Sequence, residues 1–139
     1  MDLKINFDAS FIPETRISGI SVVIKTSDDK YILRSSKKVI CNNNIEAEFR
    51  ALNKAVGYIN NKQGKGFLPK NCRIMIYGDN KTLMETSAKM RKIKCIEKGL
   101  MSGFLSELTR IKENNEVVLI WILRNENKEA HSVARGVLK

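Results

Sequence analysis

The sequence is short of several things. It has one histidine, one tryptophan and two prolines in 139 residues, and aromatic residues make up 6% of it. Its longest unbroken apolar run, Val117 to Leu123, is seven residues, against the roughly 20 that a spanning helix requires, so no transmembrane segment is expected. The three cysteines, Cys41, Cys72 and Cys95, lie far apart and form no C-x-x-C pair. That argues against a disulfide framework and against a cysteine zinc site. The expectation is reduced, mostly buried thiols in an intracellular protein, cytoplasmic or nuclear. The opening MDLKINFDAS has an acidic second residue and no apolar h-region, so no signal peptide is expected. Low-complexity stretches and internal repeats are also missing, which sets aside flexible linkers and solenoids.

What the sequence has in excess is positive charge. Lys and Arg number 25 against 15 Asp and Glu, a formal net charge of +10. With 42% hydrophobic residues the chain can bury a core. A length of 139 residues suits one domain, residues 1–139, expected to be self-contained and monomeric. A soluble basic domain points to a polyanionic partner, nucleic acid ahead of a membrane surface, since no basic amphipathic segment stands apart from the rest.

The apolar pattern predicts the order β-β-β-α-β-α-α-β-α. Leu3 to Asp8 alternates and reads as a strand that ends on a carboxylate. Gly19 to Thr26 and Tyr31 to Ile40 read as an antiparallel hairpin across Ser27–Lys30. Ile45, Phe49, Leu52, Val56 and Ile59 then fall on one helical face, with Asn42 to Asn44 placed to cap it. Lys62 to Lys70 reads as a basic connection. Arg73 to Tyr77 reads as a buried strand and runs into Gly78-Asp79-Asn80. A short helix to about Lys89, a basic linker, a helix carrying Leu100, Phe104, Leu105, Leu108 and Ile111, a buried strand Val117–Leu123 and a last helix from Asn127 complete the chain. Trp121, inside that last strand, is expected in the core. Phe11 is the one aromatic expected to be free to stack on a base or sugar. Three strands followed by strand–helix alternation predict an α/β fold, a five-stranded mixed sheet with helices on both faces.

Three carboxylates stand out by position. Asp8 and Asp79 close predicted strands, where α/β sheets gather functional groups. Glu48 shares the apolar stripe of its helix, a costly place for a carboxylate that is neither paired nor bound to a cation. From spacing alone, turn capping by the aspartates and a lysine partner for Glu48 explain them equally well.

The motifs Phe7-Asp8-Ala9-Ser10, Gly19-Ile20-Ser21-Val22-Val23-Ile24, Ala47-Glu48-Phe49-Arg50-Ala51-Leu52, Ile76-Tyr77-Gly78-Asp79-Asn80 and Arg124-Asn125-Glu126-Asn127-Lys128-Glu129-Ala130-His131 occur in order along essentially the whole chain. In these the sequence resembles the type 1 ribonuclease H family, particularly its compact reverse-transcriptase-like and archaeal-type members. The resemblance implies the RNase H-like fold. It also implies hydrolysis of the RNA strand of RNA–DNA hybrids by two divalent cations, Mg²⁺ or Mn²⁺, leaving 5′-phosphate and 3′-hydroxyl ends. Asp8 would bridge the two ions, with Glu48 and Asp79 beside the leaving group.

The family's fourth carboxylate is replaced by His131, the only histidine of the chain. Glu129 lies about 200° around the helix from it and faces away, and Glu126 lies at or before the helix start. Three readings stay open for His131. It is a metal ligand, suiting Mn²⁺ better than Mg²⁺; or a bystander in an enzyme with three carboxylates; or the mark of lost catalysis with binding retained. By the same resemblance Asn43, Asn44 and Asn80 are expected nucleic-acid contacts, although Ile45 stands where the family often has a further Asn. Six bases against two acids lie between Lys81 and Lys98. Lys89, Arg91, Lys92 and Lys94, the densest part, are expected to grip a phosphate backbone. The alternatives to hybrid cleavage are a silent nucleic-acid-binding module and the same core acting on double-stranded RNA.

Overall fold

The computed structural model describes all 139 residues. Five strands form one sheet in the order β3-β2-β1-β4-β5: β1 Asp2–Ile12, β2 Ile17–Thr26, β3 Tyr31–Ile40, β4 Arg73–Gly78 and β5 Glu116–Trp121. β1 pairs antiparallel with β2 and parallel with β4; β2–β3 is antiparallel and β4–β5 parallel. The helices are α1 Asn44–Gly64, α2 Lys81–Ala88, α3 Lys98–Asn114 and α4 Lys128–Gly136. The predicted fold class and element order are those observed. No helix is long and apolar enough to cross a membrane.

Alternation in β1 drives Leu3, Ile5 and Phe7 into the core under α1, at 0–2% exposure, and leaves Lys4, Asn6 and Asp8 on the other face. β2, central and β-branched, is buried on both sides from Ser18 to Ile24, because α1 covers one face and α4 the other. Phe49 of α1 meets Phe104 of α3 edge to face, centroids 5.0 Å apart, which locks the two helices together. Cys41 and Cys72 are buried free thiols, while Cys95 is exposed.

Two glycines set close approaches. A Cβ on Gly19 would come 2.1 Å from the Ala134 carbonyl oxygen of α4, and one on Gly78 would come 2.6 Å from the Phe7 ring. Both positions therefore hold elements nearer than any side chain permits.

Five expectations need correction. β1 does not stop at Asp8 but runs to Ile12, because its pairing with β2 continues to Ile12–Ile17 around a tight turn; what stops near Asp8 is the parallel ladder to β4, at Asn6–Tyr77. The last strand is a half-exposed edge rather than a buried strand, and Trp121 is 43% exposed, not core. Phe11 packs partly buried against the core, so the exposed aromatics are Tyr31, Phe67 and Trp121. Ile45 is also exposed, at the first turn of α1, before the helix meets the sheet.

Candidate active site

Three elements converge beyond the end of the β1–β4 ladder. β1 delivers Asp8, α1 delivers Glu48, and the exit of β4 delivers Asp79. Each offers a carboxylate oxygen, and these lie within 4.8 Å of one another. Asp8 and Glu48 are almost fully buried, at 3% and 4% exposure. No lysine or arginine pairs with any of the three.

Local structure explains each placement. Asn43 caps α1 by accepting from the Glu46 N–H, which fixes the first turn from which Glu48 projects. Asn80 caps α2 by accepting from the Leu83 N–H at 2.9 Å, and its amide donates to Glu48 Oε2 at 2.7 Å. Asn127, 1% exposed, donates to the Phe7 carbonyl at 2.9 Å and to Asp79 Oδ2 at 3.4 Å, and accepts from Asn6. It thereby ties the start of α4 to β1 and to the end of β4. Ser21 Oγ donates to the Ala130 carbonyl at 2.6 Å, seating α4 against β2. One turn on, His131 Nδ1 lies 3.0 Å from Asp8 Oδ2, with a third of its side chain exposed.

The electrostatics follow from burial of like charges. Burial first, then the charge of Asp79, raises the Asp8 carboxyl to about 6, against the Ala9 N–H and His131, which pull it down. Burial raises Glu48 to about 7; the Asn80 amide opposes that, and the charges of Asp79 and Asp8 add to it. A trio of carboxylates so placed is uncomfortable as three anions without positive charge between them.

The neighbouring acids are committed elsewhere. Glu129 forms an ion pair with Lys25 at 2.7 Å and also binds Tyr31 and Arg34, while Glu126 accepts from the Leu123 N–H. Of the predicted nucleic-acid contacts, Asn44 is exposed, whereas Asn43 and Asn80 spend side-chain atoms on the caps and on Glu48. Lys89, Arg91, Lys92 and Lys94 are exposed, on a loop pinned by the buried Ile93 and Ile96. Beside this loop a cavity of about 500 Å³ opens among Ile45, Thr82, Thr86, Arg91, Lys92 and Lys94.

The sequence reading missed Asn6, Ser21 and Trp121. Asn6 shares strand parity with Asp8, a usable signal. Trp121 donates its indole N–H to the Asp79 carbonyl at 3.3 Å, and the Lys81 ammonium sits 5.4 Å from its ring centre.

The model of the family described as reverse transcriptase-like matches residues 6–137. The chain belongs to the reverse transcriptase-like family. Among solved structures it is similar to LC11-RNase H1, isolated from compost by a metagenomic approach, with 21% identity over 97% of this chain and 94% of that one and a TM-score of 0.76. The same protein in complex with an RNA/DNA hybrid matches at 20% identity, 96% and 94% coverage and a TM-score of 0.76. RNase H1 from the halophilic archaeon Halobacterium salinarum matches at 13% identity, over 99% and 98% of the two chains, with a TM-score of 0.75. At these identities what is shared is the fold, that of type 1 ribonucleases H. No curated protein sequence matches the chain.

Proposed function

We propose that this family member is an endonuclease that hydrolyses the RNA strand of RNA–DNA hybrids with divalent cations, Mg²⁺ or Mn²⁺, held by Asp8, Glu48, Asp79 and His131. One observation carries the reading: three carboxylates, two of them buried, bring oxygens within 4.8 Å of one another with no basic partner except an imidazole. The donor set suits the cations. Carboxylate oxygens are hard ligands, and the raised carboxyls of Asp8 and Glu48 are what positive charge in their midst would bring back down. Two bound cations would supply an activated water and charge to stabilise the leaving oxygen.

The chain's own residues do the rest. Asn80 holds one oxygen of Glu48 and leaves the other free. Asn127 orients Asp79. His131 occupies one oxygen of Asp8 through Nδ1 and brings imidazole to the cation site, which favours Mn²⁺ over Mg²⁺. Lys89, Arg91, Lys92 and Lys94 hold the backbone of the uncut strand, and Asn44, exposed at the start of α1, lies at the rim. The hybrid as substrate is supported by the complex of LC11-RNase H1 with RNA/DNA hybrid.

The test is cleavage of a labelled hybrid in Mg²⁺ and in Mn²⁺, beside duplex RNA and duplex DNA. RNA-strand cutting to 5′-phosphate ends, faster in Mn²⁺, is expected; no product in either metal at enzyme excess defeats the reading. A second reading is favoured by the His131–Asp8 bond, which takes up an oxygen that a bridging ligand needs: a module that binds nucleic acid without cutting it. It holds if only His131→Asp cuts.

A further inference from the structure

Helix α1 carries a second cluster of polar groups, away from Glu48. Relative to Glu48, Arg50 and Lys54 lie about 200° and 240° around the helix. There, with Lys37 of the edge strand β3, they line a cavity of about 280 Å³. Asn53 contributes an amide, and Ile20, Val39 and Leu100 supply the apolar part; no carboxylate lines it.

Two of the three cations, Lys37 and Lys54, have no carboxylate partner. The Lys54 ammonium donates only to a neutral partner, Ser35 Oγ, at 2.8 Å. Burial, and then the charge of Lys37, hold it below the ordinary lysine value. Arg50 Nε is buried without a hydrogen-bond partner. It forms an ion pair with Glu46 Oε2 at 3.5 Å, an oxygen that also accepts from the Asn42 N–H at 3.1 Å. Crowded like charges around a concave space that no carboxylate lines describe a place where an anion relieves repulsion. An apolar wall beside the cations suits a phosphate that arrives on a sugar.

We infer that the Lys37–Arg50–Lys54 groove binds a phosphodiester of the nucleic acid, outside the carboxylate site. The inference rests on the nucleic-acid reading above. From Glu48 to Lys54 the helix rises about 9 Å, the span of a few nucleotides of one strand. A strand engaged at the start of α1 is thus within reach of the groove.

The test compares the full chain with Lys37→Gln/Lys54→Gln, and with Lys37→Arg/Lys54→Arg as the charge-conserving control. A labelled hybrid is bound in chelator over a salt series. The Gln variant is expected to lose affinity several-fold and to flatten the log–log salt slope by about 0.9 for each phosphate it no longer neutralises. The Arg variant should keep the slope, and the cleavage rate at saturating hybrid should be the same in all three. The Ile20, Val39 and Leu100 methyl signals of the unmodified protein should shift on adding hybrid. Hybrid binding with equal slopes and unmoved methyls overturns this inference alone; no hybrid binding at all overturns it together with the proposed function. Methyls that shift with inorganic phosphate but not with hybrid assign the groove to a free anion and also overturn it.

Discussion

At the scale of single residues, the site is a balance between buried carboxylates and the amides that hold them. Glu48 is oriented by one donor, Asn80 Nδ2 at 2.7 Å. Asn80→Ala is expected to weaken Mn²⁺ binding about 10–100-fold, the usual cost of losing a partner behind a ligand, read by calorimetric titration. Asp8→Asn, which removes the proposed central ligand, should lower hybrid cleavage on the order of 1000-fold, about 4 kcal/mol of transition-state stabilisation. The raised carboxyls also set a pH dependence. Between roughly pH 4 and the folded values of about 6 for Asp8 and about 7 for Glu48, the folded chain keeps protons that the unfolded chain has released, so these groups make stability fall as pH rises. In chelator, Glu48→Gln should therefore raise the melting temperature at pH ~8 more than at pH ~5, and Mn²⁺ should raise that of the unmodified protein at pH ~8. Equal gains at both pH values would sink the assignment. Glu48 and Asp79 were legible in the sequence because each sits in a short motif near a helix start or a strand end, and Asp8 because of its own motif, although β1 runs on past it to Ile12. The Asn6–Asn127 bond was not, because it joins residues that only the docking of α4 brings together.

At the scale of elements, exposure was the hardest thing to read. Val117–Leu123 looks buried because seven apolar residues in a row fit a strand covered on both faces. β5 is instead the sheet's edge, and which strand ends up at the edge is decided by pairing, not by local pattern. The end of β1 was misplaced for the same reason: its partner β2, not its own sequence, carries it to Ile12. The Lys37–Arg50–Lys54 groove was likewise invisible, being shared between a strand and a helix. α4 shows what such docking costs to disturb. It rests on Gly19, where a Cβ would overlap the Ala134 carbonyl. Gly19→Ala is expected to destabilise the fold by about 1–3 kcal/mol through overpacking, measured by urea unfolding. It should also weaken the His131–Asp8 contact, visible as a shifted His131 ring signal.

At the scale of the whole molecule, the net charge is +10 while the Asp8–Glu48–Asp79 cluster is of opposite sign; on the proposed reading the bases would draw phosphate to carboxylates that would otherwise repel it. Replacing Lys89, Arg91, Lys92 and Lys94 together by Gln is expected to reduce the salt slope of hybrid binding by up to about 3–4, with the melting temperature unchanged, since Ile93 and Ile96 still pin the loop. The sheet order has a kinetic consequence. Asp2 pairs with Arg73, a parallel ladder between segments about 70 residues apart, and only this pairing brings Asp8 to Asp79. The β1–β2–β3 meander is local by comparison and is expected to form early, and the long-range ladder to close late, after its loop entropy has been met. On that order of events the Asp8–Glu48–Asp79 cluster, and with it the proposed cation site, is expected to assemble after the folding transition state. Mn²⁺ should leave the refolding arm of a chevron plot where it is and slow the unfolding arm, so that an occupied site acts as a brake on the chain's exit from the native state.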